Sequence, residues 1–286
     1  MNILVTGANG MLGSTFQKSQ MLEQKWYIVY YADRDTLDIT NSSQILSFLD
    51  THCIDCVINC AAYTDVENAQ DSGNTLNYEI NTLSLANFSA ILATRLIRFI
   101  HISTDYVFDG TQKEGYLTDD LVWPLNEYGK AKRLGEQILL RTCPNAKIVR
   151  TSWLYGGTRE IENFVNTMLH CSETKIELSI INDQRGAPTH TSDLVQAIVC
   201  LVQERENHQQ KIFHFCNKAR AWWVTWFDFA QEIFALAKKT MKLNPIPSSQ
   251  YPSKAPRPHH SRLINDSDIQ LPDRKESLEK YLNERN

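Results

Sequence analysis

The chain opens on an apolar run, Ile3-Leu-Val-Thr6, that passes straight into Gly7-Ala-Asn-Gly10-Met-Leu-Gly13. A strand that ends in three evenly spaced glycines and leads into a helix leaves few folds open. The first glycine permits the tight strand-to-helix turn, the second lets a pyrophosphate approach the backbone, and the third lets the helix pack closely on the sheet. The rest of the first half sustains the pattern. Residues 27–31, 57–62, 99–103 and 147–152 read as strands, and helices fall between them. Asn41-Ser-Ser-Gln44 resembles a capping box opening a helix to about Thr51, a second helix fills roughly 75–94, and a third runs over 129–140. Alternation of this kind predicts an α/β fold over residues 1–150: a doubly wound parallel sheet, the Rossmann arrangement.

Residues 151–286 are less regular. Helical periodicity recurs over 163–169, 192–204 and 226–239, whereas 244–258 carries Pro245, Pro247, Pro252, Pro256 and Pro258 and reads as a long loop. This half is expected to form a smaller, mainly substrate-binding domain, with some helices returning to the Rossmann sheet. Long loops over such a sheet often carry specificity.

Composition removes several function classes. With 286 residues, 42% of them hydrophobic, the chain can bury a substantial core, and a net charge of −4 gives no footprint for nucleic acid or an anionic membrane. No apolar run approaches the roughly 18 residues of a membrane span. Met1-Asn2 leads directly into the first strand, so a cytoplasmic protein is expected. The seven cysteines are an odd set without framework spacing, and Cys53-Ile-Asp-Cys56 has no second pair nearby, so packing thiols are expected and no metal site.

Tyr128 and Lys132 stand four residues apart in a helical stretch, which places a phenol and an ammonium on one face. The cation there stabilises phenolate and brings a tyrosine proton within reach of neutral pH. Alone, such a pair is most often surface decoration. Behind a nucleotide-binding unit it points to carbonyl reduction. Met11 and Leu12 complete the glycine turn. Asp33 and Arg34 follow the second strand, where a carboxylate accepts the ribose 2′-hydroxyl of NADH and a guanidinium pairs with the 2′-phosphate of NADPH; the two residues leave the cofactor open. Asp38 and Ile39 suit the adenine edge, and Ala61, Ala62 and Tyr63 end the third strand, where small residues let a cofactor lie against the backbone.

Together with Asn59-Cys-Ala-Ala-Tyr-Thr-Asp-Val-Glu67, Ser103-Thr-Asp-Tyr-Val-Phe-Asp-Gly110 and Arg150-Thr-Ser-Trp-Leu-Tyr-Gly156, these residues resemble the extended short-chain dehydrogenase/reductases. Asn182-Asp-Gln-Arg-Gly-Ala-Pro-Thr189 and Arg257-Pro-His-His-Ser-Arg-Leu263 narrow the resemblance to the dTDP-4-dehydrorhamnose reductase family. The resemblance implies hydride delivery from NADPH or NADH to C4 of dTDP-4-dehydro-6-deoxy-L-mannose, giving dTDP-L-rhamnose for cell-surface polysaccharide. It implies Tyr128 as proton donor, Lys132 as the group that lowers the phenol's pKa and holds the nicotinamide ribose, and Thr104 as a donor to the same carbonyl oxygen. Asp105 and Trp153 would line the sugar pocket, and Arg257, fixed between prolines, would pair with phosphate or sugar oxygens of the dTDP-sugar. Relatives that dimerise through magnesium use a glutamate early in the first helix, where this chain has Ser14-Thr15-Phe16, so a monomer or a metal-independent dimer is expected. Two alternatives stand beside this reading: a reductase or epimerase of another 4-keto sugar nucleotide, and a non-catalytic regulatory subunit of the same fold.

Overall fold

Strands β1 (Asn2–Thr6), β2 (Ile28–Ala32), β3 (Cys56–Asn59), β4 (Arg98–Thr104) and β5 (Ala146–Thr151) occupy the apolar runs read from the sequence. The computed structural model describes residues 1–158, 160–204, 210–218 and 223–284. All pairings in the main sheet are parallel, and its order is β6-β5-β4-β3-β1-β2, where β6 is Ile212–His214 beside β5. The third strand ends at Asn59 rather than Ala62, because its partner β1 ends opposite it at Thr6, just before the glycine turn. The chain leaves β1 in one direction to reach β2 and in the other to reach β3. That reversal opens a crevice at the carboxyl edge between β1 and β3.

Helices cover both faces. On one side α1 (Met11–Ser19) and α8 (Thr191–Gln203) bury Phe16, Leu194 and Ile198 against Ile3, Val5 and Ile58. On the other, α2 (Ser42–Thr51), α5 (Ser84–Leu92) and α6 (Glu127–Thr142) bury Leu49, Phe88 and Leu139 against Leu4, Val57 and Phe99. Side chains alternate along each strand, so Ile3 and Val5 face one layer and Leu4 the other. Asn41 caps α2 by accepting from the Gln44 amide, but the Gln44 side chain accepts from the Asp38 amide, so only half of a capping box forms.

Short helices α3 (Val66–Ala69) and α4 (Asn74–Tyr78) precede a π-helical turn over Glu79–Leu83 that runs into α5. Beyond residue 151 the chain serves two bodies. Helix α8 and strand β6 complete the sheet layers, whereas α7 (Phe164–Thr174), α9 (Trp226–Leu236) and α10 (Arg274–Asn283) enclose a third core around Tyr155, Phe229, Ile233 and Leu278. The proline-rich segment differs from expectation at its start. Lys242–Ile246 is a strand parallel to Glu177–Ile181, with Pro245 opposite Ile180. Among the described residues this two-stranded pair leaves Lys242–Ile246 with no second neighbour, and an edge strand tolerates a residue that lacks an N–H. Among the described residues, no helix is long and apolar enough to cross a membrane.

Candidate active site

The crevice is a cavity of about 870 Å³, walled by the glycine turn, the loop after β2, the ends of β3, β4 and β5, and the first turns of α6. Gly7 has φ +67°, and a Cβ there would lie 2.6 Å from the Ala61 amide nitrogen. A Cβ on Gly13 would lie 2.2 Å from the Gly7 carbonyl oxygen. Both positions therefore demand glycine, one for its turn and one for helix approach. Gly10 caps α1 without a side-chain acceptor, and no acidic residue stands in the first turn. The free N–H groups around Met11 and Leu12 thus face the cavity as an anion site, which fits a dinucleotide's pyrophosphate.

The loop after β2 is organised by Asp33. Its Oδ1 accepts from the Asp35 and Thr36 amides and the Thr36 hydroxyl, its Oδ2 accepts from Asn9, and these bonds hold its pKa below the usual carboxylate value. Arg34 is exposed at the cavity rim, within electrostatic reach of Asp38. Asp38 accepts from the Thr40 amide and hydroxyl, Ile39 is buried beneath, and both line the cavity, as do Ala61 and Ala62. Tyr63 does not. The buried Asn81 takes both its amide and its carbonyl, and its hydroxyl is directed at Gly73, away from the crevice.

At the inner end, Tyr128, Thr104, Asp105 and Lys132 converge on the cavity. Asn126 caps α6 through the Gly129 amide and donates to the Pro256 carbonyl, fixing the turn that presents Tyr128. Burial pushes the phenol of Tyr128 well above its ordinary pKa, and the neighbouring Thr104 hydroxyl pulls the other way. Nζ of Lys132 donates to the Ile102 carbonyl at 2.7 Å and lies 3.1 Å from His101 Nε2, so strand β4 takes two of its N–H directions. Burial draws Lys132 itself down to about 8. Asp105, buried behind Thr104, is raised by burial to about 7 despite hydrogen bonds from Ser261 and Thr104. Its Oδ2 has no partner among the described residues.

Trp153 lies in the cavity wall with φ +47°, its indole stacked on Trp226 at 3.4 Å between centroids. Arg257 is placed elsewhere: its Nη2 donates to Glu67 at 2.8 Å, and Glu67 also accepts from Ser253 and the Lys254 amide. That carboxylate fastens the proline-flanked loop to α3, and the guanidinium stays within electrostatic reach of Tyr106 in the cavity wall. Ser261 of the same motif lies beside Asp105. Sequence reasoning also missed Trp226, which carries no local signal, and Glu136, which does: it follows Lys132 by one helical turn.

A doubly wound parallel sheet with a glycine turn, a half-buried tyrosine and a buried lysine one turn on, gathered at its carboxyl edge, defines the short-chain dehydrogenase/reductase class. Within that class, residues 1–286 match the family of the RmlD substrate binding domain, and the chain belongs to it. It is 34% identical over 270 residues to the dTDP-4-dehydrorhamnose reductase of Aggregatibacter actinomycetemcomitans, covering 91% of this chain and 90% of that protein. It is 35% identical over 266 residues to the dTDP-4-keto-6-deoxy-D-glucose reductase of Streptomyces niveus, covering 92% and 88% respectively. Among solved structures, the dTDP-4-dehydrorhamnose reductase of Bacillus anthracis in complex with NADP superposes with a TM-score of 0.91 at 33% identity, covering 99% of each chain.

Proposed function

We propose that the protein is an NAD(P)H-dependent reductase of the C4 carbonyl of dTDP-4-dehydrorhamnose, yielding dTDP-L-rhamnose. The observation that carries this reading is the convergence of Tyr128, Thr104 and Lys132 in the wall at the inner end of a cavity whose other end is a dinucleotide turn. Bound at that turn, a reduced nicotinamide supplies the hydride. Tyr128 holds the proton that the C4 oxygen receives as it gains charge, and Thr104 donates a hydrogen bond to the same oxygen. The third N–H of Lys132 is left for a ribose hydroxyl. Asp105 and Trp153 border the space for the sugar, and Arg257, held through Nη2 by Glu67 and with Nε unpartnered among the described residues, is offered to its diphosphate. Arg34, on the rim and exposed, attracts the 2′-phosphate of NADPH, while Asp33, held ionised by its own loop, opposes that phosphate. Seven free thiols suit a cytoplasmic protein acting as a monomer or a metal-independent dimer.

One observation favours a second substrate. The relative named for dTDP-4-keto-6-deoxy-D-glucose is as similar as the one named for dTDP-4-dehydrorhamnose. Following nicotinamide absorbance at 340 nm with each sugar nucleotide separates the two. The proposal requires the higher kcat/KM for the rhamnose precursor, and a preference for the other sugar, or turnover of neither, contradicts it.

A further inference from the structure

Behind Lys132 lies a file of buried polar side chains that the reduction chemistry leaves unused. Nζ of Lys132 is 3.1 Å from Nε2 of His101, Nδ1 of His101 is 3.1 Å from the side-chain nitrogen of Asn59, and the Thr6 hydroxyl is 2.5 Å from the Asn59 side-chain oxygen. Each of the four is 1% exposed. Thr6, Asn59 and His101 are direct ladder partners on β1, β3 and β4, so the file crosses the sheet at right angles to the strands and ends on the lysine.

Donor and acceptor inventories restrict what this file does. An ammonium only donates, so beside a charged Lys132 the imidazole must accept at Nε2 and carry its proton at Nδ1. That proton requires the Asn59 oxygen, and the Asn59 nitrogen then donates to the Thr6 hydroxyl. Beside a neutral amine the polarity reverses: Asn59 nitrogen donates to Nδ1, and Nε2–H donates to the lysine. Both arrangements satisfy every group, and they differ by a half-turn of one amide. Burial and the neighbouring lysine keep His101 from charging. Thr6, at the far end, has no solvent contact to speak of, so the file is no exit for protons. Its use is to hold.

We propose that His101, with the Asn59 amide turned so that its oxygen accepts from Nδ1 and its nitrogen donates to Thr6, is a positioning residue for Lys132. With the Ile102 carbonyl it fixes two N–H directions of the ammonium, and the third is thereby aimed into the cavity. The other ionisable groups acting on Lys132 are Glu136 from its own helix and Cys60 after β3. Glu136 is already shared between Arg150 and Ser103, so it does not replace His101 as a direct partner.

The test reads the lysine first and turnover second, because only the second depends on the reductase reading. In protein carrying 13C-labelled lysine, with the Lys132 signal assigned by Lys132→Met, NMR titration should place wild-type Lys132 near 8. Loss of the acceptor in His101→Leu should lower that pKa by about one unit, since a hydrogen bond to a charged group is removed. His101→Gln, whose amide oxygen accepts, should recover most of the loss, and Asn59→Asp, which holds the proton on Nδ1, should raise the value. A merely structural role would lower thermal stability without this ordering. If His101→Leu does not fold, the other two variants decide. Turnover in His101→Leu should fall about tenfold in kcat, with the alkaline limb of the pH profile moving the same way as the lysine and the sugar KM little changed. Unmoved lysine values in folded variants overturn the proposal even if the enzyme turns over. Ordered lysine values without turnover of any 4-keto sugar nucleotide overturn the reductase reading and leave the positioning role standing.

Discussion

Burial sets the proton affinities at the inner end of the cavity, and it acts in opposite directions on acids and bases. It holds the proton on Tyr128 and on Asp105 and loosens the one on Lys132. A tyrosine that keeps its proton at neutral pH is suited to donate it, so Tyr128→Phe should cut turnover by roughly two to four decades while NADPH still binds. Steady-state rates and a fluorescence titration measure both, and near-wild-type turnover would remove Tyr128 from the chemistry. For Asp105 the sign follows from linkage. Its folded pKa of about 7 lies above the ordinary 3.8, so between those values the unfolded chain gives up a proton that the folded chain retains, and stability falls as pH rises until both states are ionised above about 7. Asp105→Asn escapes that loss. Urea unfolding should find the variant's advantage small near pH 4 and grown to a few kcal/mol at pH 8, and a pH-independent difference would contradict the assignment. Tyr128, Thr104 and Lys132 were legible in the sequence because their spacing and strand-end positions carry meaning. The tie between Arg257 and Glu67 was not, because the two residues stand far apart in the chain and meet only through the fold.

Helix α6 carries Tyr128, and a buried ion pair anchors it. Arg150 Nε and Nη2 donate to the two oxygens of Glu136 at 3.0 and 2.8 Å, joining α6 to β5, and the Ser103 hydroxyl adds β4. Each side chain is 2% exposed. Glu136→Gln or Arg150→Met leaves one charge buried without its partner and should cost about 3–5 kcal/mol, whereas replacing both at once with apolar residues should cost less than either alone. Chemical denaturation of the two singles and the double decides, and additive losses would argue against a coupled pair. At the loop after β2, Arg34→Ala should raise the KM for NADPH by about tenfold and leave that for NADH unchanged, because only the former brings a phosphate to the guanidinium. Kinetics with both coenzymes measure it; equal effects would place Arg34 away from the ribose. The elements of the first half were legible because strands buried on both faces read as unbroken apolar runs. Helix α10 went unread although Arg274, Ser277, Leu278, Tyr281 and Leu282 are buried at helical spacing, since a short polar helix gains its stability from packing rather than from its own sequence. Strand Lys242–Ile246 was hidden by Pro245.

At the scale of the molecule, the sheet with its two faces supplies the cofactor end of the cavity, and the third core supplies Trp226 at the other. The fold class followed from the glycine turn and the strand rhythm; later helices were expected at the sheet without saying which, and strand β6 was not read, because the sequence marks apolar faces and leaves unstated which neighbour covers them. The first helix bears on the proposed metal-independent assembly. Without an early glutamate there, EDTA should leave sedimentation and activity unchanged, and a loss of either would show that other carboxylates hold a metal. The central claim is that this cavity delivers hydride and proton to one carbonyl, and the most direct measurement is isotopic. With NADPH deuterated at the transferring position of the nicotinamide and dTDP-4-dehydrorhamnose as substrate, NMR of the product should find the label at C4 of the sugar for the wild type and little labelled product for Tyr128→Phe. Label at any other carbon, or equal labelling by the variant, would contradict the account.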